Sequence, residues 1–332
     1  MRRLAPLLLL LFAACASSAP DRRTNLRIVT DEADAVLAIL DARAAGRDIG
    51  DADWQRVFAS EGYVRLKKRE HSMGRPFEDD AFRAFAMSPE LLAKRAALHA
   101  ALDRIKRADL AALAARAYAY LPPSAAITAR VYPVVKPREN SFVFEGNAIF
   151  KYLEDEPLAR FEETVAHELH HIGYGTACSA ADDGDFRKWL GAFGEGFAVL
   201  AAGAGARPGA GAPTPYASAA PDVREAWRKG IADPQFAALE RFFGDLLDGT
   251  LKGDAADKRG FEFFGLVGPW YTVGWTMATT IEQELGRQAL IDAFCDTRTL
   301  LATYNRAAAA REKRTGQRLP RWSERLAAAL VP

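Results

Sequence analysis

Residues 162–175, EETVAHELHHIGYG, hold three of the five histidines in this chain of 332 residues. His167 and His171 are four positions apart, so on an α-helix they lie one turn apart on the same face and can bind one metal ion together. Glu168 is rotated by about 100° from His167 around such a helix and can reach a water molecule beside the metal. The spacing therefore predicts a zinc site that has its own proton acceptor.

The run His167-Glu168-Leu169-His170-His171 is the HExxH arrangement of zinc metallopeptidases. His170 could pair with His167 by its spacing, but only the pair four apart has the glutamate in the right place, so we assign His170 no metal role. The alternative for the whole motif is a solvated surface helix with incidental histidines. The continuation of the helix into the glycine-bearing stretch IGYG favours the metal site.

A catalytic zinc site uses three protein ligands and keeps one position for water. The other histidines, His71 and His99, lie in N-terminal helical segments, so we expect the third ligand to be a carboxylate. Glu195 is the lone acid in the apolar segment GAFGEGFAVL, where a buried carboxylate is costly unless a cation compensates its charge. Competing interpretations are a Glu195 that faces water, or a ligand from Asp182, Asp183 or Asp185. We predict one Zn²⁺ per chain, bound by His167, His171 and Glu195.

Apolar spacing and capping residues predict the elements that position these side chains. TDEADAVLAIL, which begins at Thr30, and DADWQRVFAS each predict a helix, and residues 88–121 predict the longest helix, ended by two prolines. AAITARVYPVV and NSFVFEGNAIFKYL predict two strands just before the zinc helix. FRKWLGAFGEGFAVLAAG predicts one helix after it, and its small residues would allow close contact with the zinc helix: Gly194, Gly196 and Ala198.

The HExxH motif with a glutamate some two dozen residues later resembles the pattern of gluzincins, the thermolysin-like metallopeptidases. The chain is similar above all to a group of bacterial proteins described as zinc-dependent peptidases. That resemblance rests on VAHELHHIG, GEGFAVL and GPWYTVGWTMATTIEQELGRQALIDAFCD, and loosely on DWQRVFASEGYVRLKKRE. It implies an α+β fold that is mainly α, with a zincin-like catalytic core, a small sheet before the HExxH helix and a helical C-terminal part.

The resemblance also implies further site residues. Tyr271, in a Tyr-x-x-Gly stretch with Gly274, would steady the oxyanion of the reaction, and the alternative is a residue of the apolar core. Asn147 and Ala148 would lie on a sheet-edge strand along which a peptide substrate is bound as an extra strand. The sequence departs from thermolysin-like enzymes at Val199, where they place an aspartate that orients a zinc histidine.

The N-terminal stretch MRRLAPLLLLLFAACASSAP has the charged start, apolar run and small residues of an export signal. Its segment FAAC resembles the lipobox of bacterial lipoproteins. This implies a signal peptide over residues 1–15 and a lipid on Cys15 that anchors the exported protein in the bacterial cell envelope, facing the periplasm or the cell surface. Residues 16–30 would then form a tether. Cleavage without lipid and ordinary secretion is the alternative.

The rest of the chain, residues 31–332, is expected to form one zincin-like domain. Its parts are an N-terminal helical part, the sheet with the zinc helices, a flexible insertion rich in Ala, Gly and Pro, and a C-terminal helical part, at residues 31–122, 123–200, 201–222 and 223–332. In an oxidising compartment Cys178 and Cys295 could form a disulfide or remain two separately buried thiols.

The charge balance excludes one class of partner. With 44 basic and 43 acidic residues the net charge is +1, which gives no electrostatic case for nucleic acid. We therefore expect a peptide or protein substrate, and contact with a membrane only through the lipid anchor; the oligomeric state stays open. The alternatives are a zinc amidohydrolase that acts on non-peptide or cell-wall amides, and a non-catalytic metal-binding lipoprotein. Glu168 favours catalysis, because a structural metal site needs no base.

Overall fold

The computed structural model describes residues 23–138, 140–178, 184–203 and 214–329. The first elements are β1 Thr24–Ile28, α1 Asp31–Ala44, α2 Asp51–Phe58, α3 Glu61–Ser72, α4 Asp79–Ala86, α5 Pro89–Ala93, α6 Arg95–Ile105, α7 Leu110–Tyr118, β2 Ile127–Val134, β3 Phe142–Phe144 and β4 Ala148–Tyr152. Then follow α8 Leu158–Ala177, α9 Asp185–Gly191, α10 Gly194–Ala202, α11 Pro221–Ala232, α12 Phe236–Leu247, α13 Gly253–Glu262, α14 Pro269–Leu285, α15 Arg287–Cys295, a 3₁₀ helix at Thr297–Thr299, α16 Leu300–Thr315 and α17 Glu324–Ala328. The expected α+β class, mainly α, is confirmed.

The region predicted as one long helix, residues 88–121, forms the three helices α5, α6 and α7. Ser88 caps the first of them, because its hydroxyl accepts a hydrogen bond from the Leu91 amide. Asp109 accepts one from the Ala112 amide and so starts α7 as a separate helix. Apolar spacing runs through the whole region and so predicted one helix. The prediction is wrong because the Asp109 side chain competes locally for backbone amides and interrupts the helix.

The sheet has the strand order β1-β2-β4-β3. β1 and β4 both pair with β2 in parallel, and β3 pairs with β4 in antiparallel orientation. β1 lies inside the expected tether 16–30, so that expectation is wrong for residues 24–28. Leu26 and Ile28 of β1 pack against the core beneath the sheet. The sequence did not predict this strand, because its five residues have mixed polarity and its partner strand lies far along the chain.

Two apolar cores support the molecule. We call the first the sheet core; it joins one face of the sheet to α1–α8 and includes Val131, Ile149, Phe161, Val165 and Leu169. We call the second the helical core; it joins α9, α10, α12 and α14–α17 and is rich in aromatic rings, including Phe193, Phe197, Phe243, Trp270 and Tyr304.

A disulfide between Cys178 and Cys295 links the two cores, since Cys178 follows α8 and Cys295 ends α15. Their Cα atoms are 4.7 Å apart. Beside it, the Tyr174 hydroxyl of α8 donates a hydrogen bond to the Phe294 carbonyl of α15. Of the two alternatives for these cysteines, the structure contains the bonded one.

Several sequence-based expectations fall outside the described residues: the signal peptide, the lipid on Cys15, the aspartates 182 and 183, and much of the insertion. α10 continues to Ala202 and α11 begins at Pro221, so the segment between these helices is shorter than the expected 201–222. Among the helices of the described ranges, none combines the length and apolar character needed to cross a membrane.

Candidate metal centre and active site

Helix α8 packs on the sheet with one face and presents its histidines on the other. Phe161, Val165 and Leu169 recur at intervals of four and are fully buried in the sheet core. His167 and His171 lie on the opposite side of the helix, and their side chains keep 15% and 30% exposure. The same helix therefore anchors itself on the sheet and keeps both imidazoles within reach of solvent.

Glu195 in the first turn of α10 completes a cluster of three donor atoms. Its Oε2 lies 3.1 Å from His167 Nε2 and 3.4 Å from His171 Nε2. The two imidazole nitrogens are 3.0 Å apart. Within the described ranges, no other group of three or more His, Cys, Asp or Glu side chains is arranged to hold a metal ion. The structure thus brings together the three predicted ligands.

This triangle of donor atoms fits a tetrahedral zinc ion. Ligand bonds of about 2.0–2.1 Å at tetrahedral angles separate neighbouring ligand atoms by about 3.3 Å, close to the three distances found here. Two imidazole lone pairs that face each other repel unless a proton or a metal ion lies between them. Two nitrogens and one carboxylate oxygen also leave a fourth position for water, as catalytic zinc sites do.

The electrostatics of the cluster show that a nearby positive charge would stabilise the Glu195 carboxylate. Burial alone would raise the pKa of the Glu195 carboxyl, but His171 and His167 outweigh burial and hold this pKa well below its usual range. Burial would lower the pKa of His171, yet Glu195 raises it to about 9. A bound cation supplies the same compensation while the imidazoles stay unprotonated, as metal binding requires.

Glu168 lies beside the cluster without belonging to it. Burial raises the pKa of its carboxyl, His167 and His171 oppose that rise, and Glu195 adds to it. Glu168 is therefore within electrostatic reach of all three ligands while its own oxygens are not among the converging atoms.

Glycines decide how α10 meets α14. A Cβ atom on Gly196 would lie 2.0 Å from the Trp275 amide nitrogen and 2.5 Å from the Tyr271 carbonyl oxygen. A Cβ atom on Gly274 would lie 2.6 Å from the Phe193 carbonyl oxygen. Backbone touches backbone at this crossing, and the contact brings Glu195 of α10 close to Tyr271 of α14.

The expected role of Gly194 and Gly196 is therefore corrected. Gly196 faces α14 instead of α8, and a Cβ atom on Gly194 would meet nothing within 4 Å. Side chains make the contact between α10 and α8: the Phe197 ring centroid lies 4.6 Å from that of His170. Composition alone indicated a close approach of helices but could not say which neighbour was approached.

Tyr271 lies beside the ligands, where the resemblance implied that it would. Its ring centroid is 6.4 Å from that of His167, and the rings are nearly parallel. Burial raises the pKa of Tyr271, and the Glu195 carboxylate adds to the rise, so the phenol stays protonated as a hydrogen-bond donor. The neighbouring Trp270, fully buried, fills the helical core. Tyr271 thus faces the site, and its neighbour has the core position.

His170 is buried between the two metal-bearing helices and is not a surface residue. Only 1% of it is exposed, and its two ring nitrogens make no hydrogen bond of normal geometry with the described residues. Burial lowers the pKa of His170 to about 3, the imidazoles of His171 and His167 contribute, and the Tyr120 carbonyl opposes the shift. His170 is a neutral packing residue and not a member of the ligand cluster.

Asn147 and Ala148 do not lie on a sheet edge, which corrects the second implication of the resemblance. Ala148 begins β4, which has β2 on one side and β3 on the other, and it is fully buried. The Asn147 carbonyl accepts a hydrogen bond from the Arg130 amide of β2. A substrate strand cannot add to β4; on this side of the sheet, the outermost described strand is β3, Phe142–Phe144.

Asp185, the competing carboxylate within the described residues, takes no part in the cluster. Asp185 accepts a hydrogen bond from the Gly253 amide at 2.7 Å and so joins α9 to α13. Val199, the point of departure from thermolysin-like enzymes, packs against Trp227 and Val267. An apolar cluster stands where those enzymes have an orienting aspartate.

Three residues near the ligands were not predicted: Tyr216, Arg160 and Glu163. The Arg160 guanidinium lies 5.4 Å from the centre of the Tyr216 ring and 3.6 Å from Glu163 Oε2. Burial raises the pKa of Tyr216, Arg160 opposes the rise, and the carboxylates of Glu195, Glu163 and Glu168 add to it. Two features of the sequence could have indicated these residues. Arg160 and Glu163 have the spacing that places them on the same helix face as His167, and Tyr216 is a tyrosine in an Ala- and Pro-rich segment.

With this geometry in place, one comparison decides the family. Residues 40–313 match the family described as "Putative zinc dependent peptidase (DUF5700)". The chain belongs to this family. The match spans β2–β4, the ligand helices and α14, so it includes every residue of the cluster. Neither a curated protein nor a solved structure is significantly similar to the chain.

Proposed function

We propose that this family member hydrolyses peptide bonds by direct attack of water, with one zinc ion held by His167, His171 and Glu195 and with Glu168 as general base. The observation that carries the proposal is the meeting of three donor atoms beside a half-buried carboxylate that is not one of them. A purely structural metal site would have no use for that fourth group, and a peptide substrate agrees with the family description.

The chemistry divides between the metal and the side chains around it. When bound, Zn²⁺ would polarise the scissile carbonyl and make a neighbouring water more acidic. Glu168 would accept the proton of the attacking water and deliver it to the leaving amine. A carboxyl whose pKa is raised by burial is better suited to give the proton back than an ordinary one. The Tyr271 hydroxyl would donate a hydrogen bond to the carbonyl oxygen as that oxygen becomes negative.

Two substitutions of the same kind separate the base from the ligand. Glu168→Gln should keep its zinc and its fold while peptide turnover falls by about 10³-fold or more, because no group accepts the proton. Glu195→Gln should lose zinc affinity and activity together, because a neutral amide is a weaker ligand than a carboxylate. Asp185→Asn is the matched control and should change neither. Zinc content of dialysed protein and digestion of a peptide library are the measurements.

The outcomes are distinct. Zinc near zero in the unaltered protein, with no uptake on titration, would overturn the metal site. Full turnover in Glu168→Gln would overturn the assignment of the base, and full zinc affinity in Glu195→Gln would move the third ligand elsewhere. A peptide library left uncut by zinc-loaded protein would favour hydrolysis of non-peptide amides or a binding role.

We also propose that the protein is exported and anchored in the cell envelope through a lipid on Cys15, on the strength of the FAAC segment. Mass spectrometry of the mature N-terminus should find an acylated Cys15. An unmodified N-terminus a few residues further on would instead show secretion without an anchor, and the catalytic proposal would be unaffected.

A further inference from the structure

Tyr216 has an unusual backbone conformation for its residue type. Its φ is +61°, and Glu145 is the other non-glycine residue with positive φ among those described. Glu145 lies in the tight turn between β3 and β4, where such a φ is ordinary. Tyr216 is in no hairpin, and a left-handed conformation costs a side-chain-bearing residue about 1–2 kcal/mol. Its surroundings must therefore hold it in place.

Aromatic and cationic contacts fix the Tyr216 ring. The ring centroid is 5.1 Å from that of Trp227 on α11, and Trp227 in turn packs edge-on against Trp275 of α14. The Arg160 guanidinium lies over the Tyr216 ring at 5.4 Å. Tyr216 and Tyr271 both pack against the apolar cluster of Val199, Trp227 and Val267. Side chains of three helices thus hold the ring: Arg160 of α8, Trp227 of α11 and, through Trp227, Trp275 of α14.

The contact with Arg160 places Tyr216 on the ligand side of α8. Residues 160, 167 and 171 follow the spacing of seven and four that keeps side chains on one helix face. Glu195, Glu163 and Glu168 all act electrostatically on the Tyr216 hydroxyl, and Tyr216 acts in turn on the hydroxyl of Tyr271. Tyr216 and Tyr271 thus border the same apolar cluster, and both hydroxyls lie within electrostatic range of Glu195 and Glu168.

We infer that Tyr216 is a second oxyanion-binding residue, whose hydroxyl acts together with that of Tyr271 on the carbonyl oxygen of the substrate. This inference rests on the proposed peptidase function. As the water oxygen bonds to the carbonyl carbon, the π electron pair moves onto the carbonyl oxygen and the water proton passes to Glu168. The two phenols donate hydrogen bonds to the new negative charge and keep their protons. When the C–N bond breaks, Glu168 returns the proton to the amine.

The geometry explains why two phenols would be needed. Val199 and Val267 of the cluster beside Tyr271 have apolar side chains that offer no hydrogen-bond donor, and His170 is buried against Phe197 of α10. A catalytic oxyanion site gains from each donor that is already in position, because no reorganisation is needed as the charge develops. Arg160 under the ring and Trp227 beside it provide that prior positioning for Tyr216.

The test removes one hydroxyl at a time and leaves the rings. Tyr216→Phe and Tyr271→Phe should each lower kcat on the order of 10²-fold, with zinc content unchanged and KM changed little. The matched control is Tyr132→Phe, which removes a hydroxyl that donates to Glu61 on the other side of the sheet and should leave kcat unchanged.

A second readout does not depend on turnover. A phosphonamidate peptide mimics the tetrahedral, negatively charged state, so its Kd should weaken in Tyr216→Phe by about the same factor as kcat falls. Binding of an ordinary substrate peptide is measured in two inactive proteins, Glu168→Gln alone and Glu168→Gln combined with Tyr216→Phe. The Kd of this peptide should be the same in both. This contrast distinguishes a group that binds the transition state from one that shapes the pocket.

The results decide the inference separately from the proposed function. Normal kcat and normal phosphonamidate affinity in Tyr216→Phe would overturn it, even if Glu168→Gln is inactive as expected. Loss of zinc from Tyr216→Phe, or equal weakening of both peptides, would also overturn it, because Tyr216 would then position ligands or the pocket wall. Activity in Glu168→Gln would instead overturn the proposed function. If Tyr216→Phe fails to fold, Tyr216→Asn, which tolerates the left-handed backbone, must show the same selective loss of phosphonamidate affinity.

Discussion

The sheet core and the helical core contribute to the site by different means. The sheet core holds α8 through interlocking aliphatic and aromatic side chains, and α8 carries His167, His171 and Glu168 on one continuous helix. The helical core brings Glu195 and Tyr271 on two helices whose backbones touch at Gly196 and Gly274. One half of the site is set by the pitch of a single helix, whereas the other half depends on how closely two helices cross.

This difference has a consequence for tolerance to substitution. Side-chain packing in the sheet core can adjust to a change of a methyl group by small shifts of its neighbours. The crossing of α10 and α14 cannot adjust in this way, because the atoms that a new methyl group would meet are backbone atoms. The helical core should therefore be the more fragile support of the metal centre.

The largest effect is expected at that crossing. Gly196→Ala should destabilise the protein by about 3 kcal/mol or more and weaken zinc binding by about tenfold or more, because α10 must move away from α14 and take Glu195 with it. Thermal unfolding and zinc titration are the measurements. Gly194→Ala is the matched control, since its methyl group would meet nothing within 4 Å. Equal behaviour of the two variants would show that the crossing does not set the position of Glu195.

The next effect concerns the covalent link between the cores. Replacing Cys178 and Cys295 by serine should cost about 2–4 kcal/mol of unfolding free energy, because the link closes a loop across 117 positions. Zinc affinity should change little, since both ligand helices keep their own packing. Urea unfolding gives the free energy, and the unaltered protein in reductant should behave like the variant. A variant as stable as the oxidised protein would contradict this prediction.

Tryptophan fluorescence can show whether the cores then unfold separately. Trp54 is the sole tryptophan of the sheet core, while Trp189, Trp270 and Trp322 belong to the helical core. Fluorescence therefore reports mainly on the helical core, and far-UV circular dichroism reports on both. In the serine variant, a fluorescence transition that precedes the circular dichroism transition would identify the helical core as the weaker unit.

A smaller effect should be confined to the sheet core and should depend on pH. Glu32 accepts a hydrogen bond from the Val135 amide through Oε2, and no described residue hydrogen-bonds to its Oε1. Burial raises the pKa of Glu32 from 4.5 to about 8, Asp31 adds to the rise and the Val135 amide opposes it. The folded state therefore holds this proton more tightly than the unfolded chain, and the stability of the unaltered protein falls as pH rises from about 4.5 to 8.

Glu32→Gln removes this titration. Its unfolding free energy should match that of the unaltered protein near pH 5 and exceed it on the order of 1–2 kcal/mol at pH 7. Between the unfolded and folded pKa values, each pH unit costs the unaltered protein about 1.4 kcal/mol at most, and local relaxation reduces this cost. Glu90→Gln, at an exposed position on α5, is the control and should show no such trend. Denaturant unfolding at several pH values measures the gap, and a gap that does not widen with pH would contradict the assignment.

Local chemistry made the ligands predictable. His167 and His171 follow from helix pitch alone, and Glu195 follows from the cost of an uncompensated carboxylate in an apolar helix. Tyr271 followed only from the family resemblance, because nothing in its immediate sequence distinguishes a site phenol from a core phenol. Neighbouring Trp270 took the core position, and that outcome depends on the angle at which α14 meets α10.

Apart from the helix break at Asp109, which has a local cause, the expectations that failed concern partners distant in the chain. β1 looked like a tether because the strand that pairs with it comes after seven helices. Ala148 was expected at an edge, whereas the antiparallel return of β3 covers that edge. Tyr216 went unnoticed because its neighbours, Arg160 and Trp227, precede and follow it by many residues.

The sequence by itself determined the three side chains of the candidate metal cluster, the carboxylate beside them and the mainly helical class. These depend on spacing within one helix and on the energetic cost of burying charge, both of which are local properties. Only the tertiary structure decided which strand forms the sheet edge, which helix Gly196 approaches and which tyrosines face the ligands. Those outcomes depend on how elements far apart in the chain pack together, because each surface has several possible partners until the two cores form.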